Sequence, residues 1–228
     1  MELEKIVKSI LASVQWDVWK FPLSARRLIK PEVVVISHRH LDHWDRNIQR
    51  FDMALIPYGI QIPEQFENLK NIISVSDFCK VEKIRFTPIG PTLLASLLQY
   101  PVSSLHARWW LSAYRNTRVL FVGDVDARET GIIEAFVSKM FEQERPLSGL
   151  LLPSYGLTET HGEGVAFAIA ELAEKLRNTF NVKIGGLPHP IYADWADYNA
   201  VRAHSLADIC VQPSDFGIQK FQFWDTKL

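Results

Sequence analysis

The chain has little cysteine, no surplus of charge and no long apolar run. Only two cysteines occur in its 228 residues, Cys79 and Cys210, too few for a disulfide framework, so a reducing cytoplasm is expected. Lys and Arg total 25 against 26 for Asp and Glu, so no basic excess points to nucleic acid. Neither a membrane span of about 20 apolar residues nor a signal peptide is visible. These absences predict a soluble intracellular protein without a membrane partner, and they disfavour a nucleic-acid partner, although a local basic patch would be compatible with the balanced net charge.

The length and composition are those of a single globular domain. Hydrophobic residues make up 47% of the chain and charged residues 22%, which is enough apolar sequence to bury a core. No internal repeat, low-complexity tract or Gly/Ser linker divides the chain. We therefore expect one domain over residues 1–228.

Hydrophobic patterns predict strands early in the chain and alternating helices and strands later. Predicted strands, some of them apolar on both faces, are 32–37, 53–59, 71–76, 149–156 and 181–187. The stretch 81–122 is predicted to be β structure with a hairpin turn at 115–117. Predicted helices are 45–51, 63–69, 129–144, 162–180 and 192–207, followed by a closing strand or hairpin at 208–224. This order favours sheets faced by helices, a layered α/β architecture.

The stretch "SHRHLDHWD" at the end of the first of these strands carries four potential metal ligands. His38, His40, Asp42 and His43 include three of the seven histidines of the chain. Imidazole nitrogens and carboxylate oxygens are the usual ligands of zinc and related metals in catalytic sites. Alternate residues of an extended segment share a face, so His38 and His40 can reach one ion together. Once the chain turns, Asp42 and His43 can reach a second ion, so one loop could supply two metals.

This stretch resembles the His-x-His-x-Asp-His signature of the metallo-β-lactamase fold superfamily, which also follows a buried strand. The resemblance extends over about residues 30–190, through His106 in "SSLHARWW", Asp124 after "RVLFVG" and His189 in "VKIGGLPHP". It implies an α/β fold of the four-layer αβ/βα sandwich type, here with a shortened N-terminal part. It also implies a hydrolase with a binuclear metal site.

The resemblance further implies two divalent metal ions, zinc first, with manganese and iron as alternatives. The implied ligands are His38, His40 and His106 for one ion, Asp42, His43 and His189 for the other, and Asp124 between them. An anionic bridge offsets the repulsion between two ions that lie about 3.5–4 Å apart. A water shared by such ions is acidified towards a pKa of about 7, and Asp42, as the catalytic residue, would orient it or accept its proton.

Two of the implied ligands have a rival in the sequence. Asp124 could be an ordinary turn aspartate, and Asp126 could be that turn residue or a competing ligand. His161 follows an earlier predicted strand and competes with His189 for the place of the last ligand. His189 is favoured because it follows the long helix, as the last ligand of the superfamily does, and His161 could instead line the substrate pocket.

Other polar and aromatic residues have plainer interpretations. His106, taken alone, would be a structural histidine, and His204 is expected to be an ordinary helix residue. The pair Trp109 and Trp110 is expected to pack in the core, with the floor of an apolar pocket as the alternative.

The N-terminal part departs from the superfamily pattern. Only 37 residues precede His38, so one N-terminal hairpin is expected to be missing or replaced, and Asp17 matches the early aspartate of the superfamily only loosely. An uncovered sheet edge invites pairing with another chain. A homodimer is therefore expected as one repair.

The sequence favours a metal-dependent hydrolase acting on a small ester, lactone or phosphodiester. A nuclease of the tRNA-processing type is the first alternative, but it would need a basic groove that the net charge of −1 does not suggest. The second alternative is a metal-binding or regulatory protein without turnover. The short N-terminal part favours this last alternative, whereas the full set of candidate ligands argues against it.

Overall fold

A computed structural model describes residues 33–39, 44, 48–49, 52–105, 107–155, 164–188 and 209–210. Three parallel strands form a small sheet in the order β1-β2-β3: β1 (Val33–Val35), β2 (Met53–Pro57) and β3 (Ile72–Val75). The sequence predicted all three strands. Their β-branched and apolar residues suit a sheet that is covered on both faces.

In the part of the chain that the structure describes, seven strands form a larger, mixed sheet. In chain order they are β4 (Cys79–Val81), β5 (Ile84–Ile89), β6 (Trp109–Tyr114), β7 (Thr117–Phe121), β8 (Gly149–Tyr155), β9 (Lys183–Pro188) and β10 (Ile209–Cys210). Neighbours from β4 to β7 are antiparallel, and neighbours from β7 to β10 are parallel. The predicted hairpin between β6 and β7 is confirmed, with Arg115 in the left-handed conformation at its turn (φ 50°).

Within the described ranges, three α-helices accompany the large sheet: α1 (Pro91–Leu98), α2 (Thr130–Glu142) and α3 (Gly164–Phe180). The predicted helices 129–144 and 162–180 are confirmed as α2 and α3. The predicted helix at 63–69 is reduced to one 3-10 turn, Glu64–Phe66. Together, the helices and the mixed sheet confirm the α/β class.

Helix α1 corrects the prediction that residues 81–122 are all β structure. Pro91 occupies its first turn after Gly90, a position where a missing amide hydrogen is tolerated. Leu94 faces inward and is fully buried, and Gln99 ends the helix in the left-handed conformation. The apolar residues of this segment therefore follow the helical period and not the period of a strand.

The two sheets pack on each other through one shared hydrophobic cluster. The small sheet contributes Val33, Val35, Leu55 and Val75, and the large sheet contributes Phe86, Trp110, Tyr114, Val119, Phe121 and Leu151. Because side chains alternate along a strand, Val34, Ile36, Ala54 and Ile56 face the other way, where they pack with Trp44, Ile48 and Phe66. The helices cover the outer face of the large sheet through Leu94, Ile133, Phe136, Ile169 and Leu176.

Several predictions lie outside the described residues. They are the N-terminal departure with Asp17, most of the predicted helix at 45–51, the predicted helix at 192–207, and the C-terminal hairpin apart from β10. The homodimer remains a prediction. Within the ranges that the structure describes, no helix is long and apolar enough to cross a membrane.

Candidate metal centre

The chain leaving β1 meets the chain leaving β7 at a buried pair of polar side chains. His38 Nε2 lies 3.3 Å from Asp124 Oδ2, and the two side chains are only 6% and 7% exposed. One residue follows a strand of the small sheet, and the other follows a strand of the large sheet. The fold thus brings two sequence-predicted ligands to one point between the sheets.

Gly123 makes this close approach between the two chain segments possible. Its φ of 63° is in the left-handed region that favours glycine. A Cβ atom at this position would lie 2.9 Å from both Cβ and Oγ of Ser37 and 3.1 Å from the Cβ of Ala107. The missing side chain of Gly123 therefore lets Asp124 reach His38.

Three hydrogen bonds fix the backbone around His38. The carbonyl of Ile36 accepts from Trp110 Nε1 at 3.0 Å, and that of His38 accepts from Trp44 Nε1 at 3.0 Å. Between them, the carbonyl of Ser37 accepts from the backbone N–H of Arg108 at 3.1 Å. Trp110 is fully buried in the core, as the sequence predicted. The role of both indoles as hydrogen-bond donors could not be predicted from the sequence pattern.

The second ring nitrogen of His38, Nδ1, also has a hydrogen-bond partner. Nδ1 lies 2.9 Å from Oγ of Ser37, and both residues are buried. When Nδ1 carries the proton and donates it to Ser37, the lone pair on Nε2 faces Asp124 and is available to a metal. A hydrogen bond of this kind is the usual support of a metal-binding imidazole.

The donor set of this pair fits a divalent metal. Zinc binds imidazole nitrogen and carboxylate oxygen at about 2.0–2.2 Å with tetrahedral angles, which would separate the two ligand atoms by about 3.4 Å. The separation of 3.3 Å between Nε2 and Oδ2 agrees with this value. His38 and Asp124 could therefore bind the same ion.

The rest of the predicted ligand set lies outside the described residues. These positions are His40, Asp42, His43, His106 and His189, and the alternative ligand His161 lies outside them as well, as does His204, which was expected to be an ordinary helix residue. Among the residues that the structure describes, no group of three or more His, Cys, Asp or Glu side chains could hold a metal. Of the predicted ligands, His38 and Asp124 are therefore the two whose contacts the structure describes.

Asp126, the rival of Asp124, has a structural role instead. It caps the 3-10 turn Ala127–Glu129, where its Oδ1 accepts from the backbone N–H of Arg128 at 2.9 Å. The Glu129 carboxylate accepts from the Asp126 N–H in return, which completes a capping box. The hydrogen bond and charge of Asp126 raise the pKa of the Arg128 guanidinium. Asp126 is therefore the turn residue of the two alternatives.

Arg108 lies beside this centre and is half-buried. A methyl group added at Gly90 would lie 3.4 Å from Nη1 of Arg108, so the guanidinium lies along the backbone that enters α1. Burial lowers the pKa of this guanidinium. No motif marks Arg108 in the sequence, and its position two residues after the candidate ligand His106 is the one signal that could have indicated it.

Comparisons with known proteins leave the chain without an established family. No protein-family model matches it, and no curated protein matches it. It is similar to the structure of a CmlA beta-hydroxylase mutant, with 12% identity and a TM-score of 0.48 over 80% of this chain and 43% of that one. A structure described as a possible metal-dependent hydrolase from Veillonella parvula DSM 2008 has 14% identity and a TM-score of 0.47, over 80% and 73%.

A similarly described structure from Parabacteroides distasonis ATCC 8503 has 13% identity and a TM-score of 0.43, over 79% of this chain and 75% of that one. This chain spans less than half of the beta-hydroxylase. At TM-scores below 0.5, none of these likenesses assigns an activity. The chemistry of its own residues is therefore the guide to the activity of this chain.

Proposed function

We propose that this chain is a metal-dependent hydrolase that acts on a small ester, lactone or phosphodiester. The buried contact between His38 and Asp124 carries the proposal. A nitrogen ligand with an oriented ring and a carboxylate meet there between two sheets, and their separation suits two ligands of one ion. The "SHRHLDHWD" sequence that begins at this point supplies further ligands of the right chemistry.

The full centre in this proposal is binuclear and follows the resemblance of the sequence. The proposed ligands are His38, His40 and His106 for one ion, Asp42, His43 and His189 for the other, and Asp124 for both. Zinc is the first choice, with manganese or iron as alternatives. The four-layer αβ/βα arrangement belongs to the same proposal, and the packing of the two described sheets on each other supports it.

Different residues of the chain would have different roles in hydrolysis at this centre. Divalent ions, when bound, would acidify a water molecule and polarise the carbonyl or phosphoryl oxygen of the substrate, which favours attack of that water on the adjoining carbon or phosphorus. Ser37 keeps the ring of His38 in one orientation, and Asp124 supplies negative charge that offsets repulsion between two cations. Asp42 would orient the water or accept its proton. Burial of the pair limits access of bulk water to the ligands.

The test is metal content measured by elemental analysis of the protein purified without added metal or chelator. We expect about two ions per chain in the wild type and a clear loss in His38→Ala and Asp124→Asn. Asp126→Asn is the matched control, because it makes the same change two residues away in a carboxylate that caps a turn. It should keep its metal and lose little stability, because Asn caps a turn about as well as Asp does and the ion pair with Arg128 that it removes is on the surface.

Full metal content in Asp124→Asn would contradict the proposed centre. So would a wild type that binds no metal even on titration, since the His38–Asp124 contact would then have only a structural role. If metal is bound, a panel of esters, lactones and phosphodiesters tests hydrolysis, with Asp42→Ala as the variant that should lose turnover. Bound metal without turnover on any of them would leave a metal-binding protein.

A further inference from the structure

The backbone of Arg108 lies one hydrogen bond away from the loop that begins at His38. Its N–H donates to the carbonyl of Ser37 at 3.1 Å, directly before His38. Arg108 also precedes β6, whose first residue, Trp109, pairs with Ile89 at the end of β5. Strand β7 runs towards the same edge and leads to Asp124. Arg108 therefore lies at the edge of the sheet where the candidate ligands meet.

The side chain of Arg108 is half-buried and lacks an anionic partner among the described residues. It lies against the backbone of Gly90, and the first turn of α1 that follows contains no acidic residue. No ion pair joins this guanidinium to a carboxylate in the described part of the chain. A guanidinium withdrawn from water without a partner is unfavourable.

Arg128 is an arginine that pairs with a carboxylate of the same chain. Its guanidinium makes two contacts with Asp126, Nε to Oδ1 at 3.1 Å and Nη2 to Oδ2 at 2.8 Å. That pair is on the surface, with the Arg128 side chain 89% exposed, where pairing adds little stability. At Arg108, where pairing would matter more, the described chain supplies no carboxylate.

We propose that Arg108 binds an anionic oxygen group of the substrate, a phosphate or a carboxylate, beside the metal centre. A guanidinium presents a planar fork of donors that matches either group. The inference rests on the proposed function, since the metal centre would hold the reacting bond while Arg108 holds the charge. It narrows the substrate class from esters, lactones and phosphodiesters in general to those that carry an anionic group near the reacting bond.

The test is calorimetric titration of the purified, metal-containing protein with inorganic phosphate and, separately, with succinate. Arg108→Gln should weaken binding of at least one of these anions tenfold or more, because hydrogen bonds to charged groups are worth that much. Arg108→Lys should recover part of the loss, since it keeps the charge but not the fork. The anion whose affinity falls identifies which group Arg108 recognises.

Arg118→Gln is the matched control for charge. Arg118 lies at the start of β7, the end away from Asp124, and its guanidinium donates to the Asn116 carbonyl at 3.4 Å on the protein surface. The substitution should change either affinity less than twofold. Metal content, measured on every variant, should be unchanged in Arg108→Gln.

Equal affinities of the wild type and Arg108→Gln for both anions would overturn the inference, and so would a wild type that binds neither. This outcome is separable from failure of the proposed function. A protein that neither binds metal nor hydrolyses a substrate would contradict the proposed hydrolase function. A metal-loaded, active protein whose Arg108→Gln variant binds both anions as the wild type does would contradict only the proposed role of Arg108.

Discussion

The hydroxyl oxygen of Ser37 is expected to strengthen metal binding by holding the ring of His38 in place. This oxygen lies 2.9 Å from Nδ1 of His38, and loss of such a support typically lowers metal affinity about 10–100-fold. We expect Ser37→Ala to weaken zinc binding by about that factor, with the far-ultraviolet circular dichroism spectrum unchanged. Competition with a chromophoric chelator measures the affinity.

Ser112→Ala provides the control for this prediction. Ser112 is as buried as Ser37, but its Oγ has no hydrogen-bond partner within the described structure. Removing that hydroxyl should leave zinc affinity unchanged and leave stability unchanged or slightly higher. Equal zinc affinities in the two variants would show that Ser37 does not position His38.

The sequence could predict the candidate ligands but not the atoms that hold them. His38 and Asp124 stand out because their residue types and order match a known pattern, and the structure brings these two together. The hydrogen bond from Trp110 to the Ile36 carbonyl joins residues 74 positions apart. Such a contact depends on how the two sheets dock, which no local pattern encodes. The other five proposed ligands, outside the described residues, remain predictions.

At the scale of elements, the junction after β7 depends on the absence of a side chain at Gly123. We expect Gly123→Ala to lower the free energy of unfolding in two ways. The left-handed backbone costs about 1–2 kcal/mol for a residue with a Cβ, and overpacking against Ser37 costs about 1–3 kcal/mol more. Urea unfolding followed by circular dichroism measures the total, and zinc affinity should fall with it.

Gly59→Ala separates the two contributions. Gly59 also has a positive φ, 83°, but a Cβ there would meet no atom within 4 Å. It should therefore show the backbone cost alone, about 1–2 kcal/mol. If both variants lost the same stability, the close packing around Gly123 would not be what constrains this junction.

Helix α1 shows where prediction of elements from the sequence failed. Its eight residues are mostly apolar, and a short apolar segment between two strands fits a strand or a helix equally by composition. The distinguishing signals were present: Gly90 and Pro91 at the start, and leucines at 93, 94, 97 and 98 in helical spacing. The longer helices α2 and α3 were predicted correctly because their apolar period repeats over several turns.

At the scale of the whole molecule, His38 and Asp124 join the two sheets. His38 follows strand β1 of the small sheet and Asp124 follows strand β7 of the large one, so an ion held by both would cross-link the two sheets. Zinc at about 100 times its dissociation constant should add about 2.7 kcal/mol of stability. For a chain of this size, that corresponds to a rise in Tm of about 5–10 °C.

Differential scanning calorimetry with zinc and with a chelator measures this effect. The wild type should melt at a lower temperature after chelation, and Asp124→Asn should show a clearly smaller difference in Tm between the two conditions. If the Tm of the wild type were the same with zinc and with chelator, no ion would bridge the two sheets.

The hydrogen bond from the Trp110 indole N–H to the Ile36 carbonyl also has a consequence for folding kinetics. It closes a chain segment of 74 residues, and contacts of such long range form slowly because loop closure loses entropy before it gains contacts. The strands and helices can form before it, whereas the loop at His38 cannot take its final shape until the sheets have docked. Zinc uptake during refolding should therefore lag behind recovery of secondary structure and mark the last step of assembly.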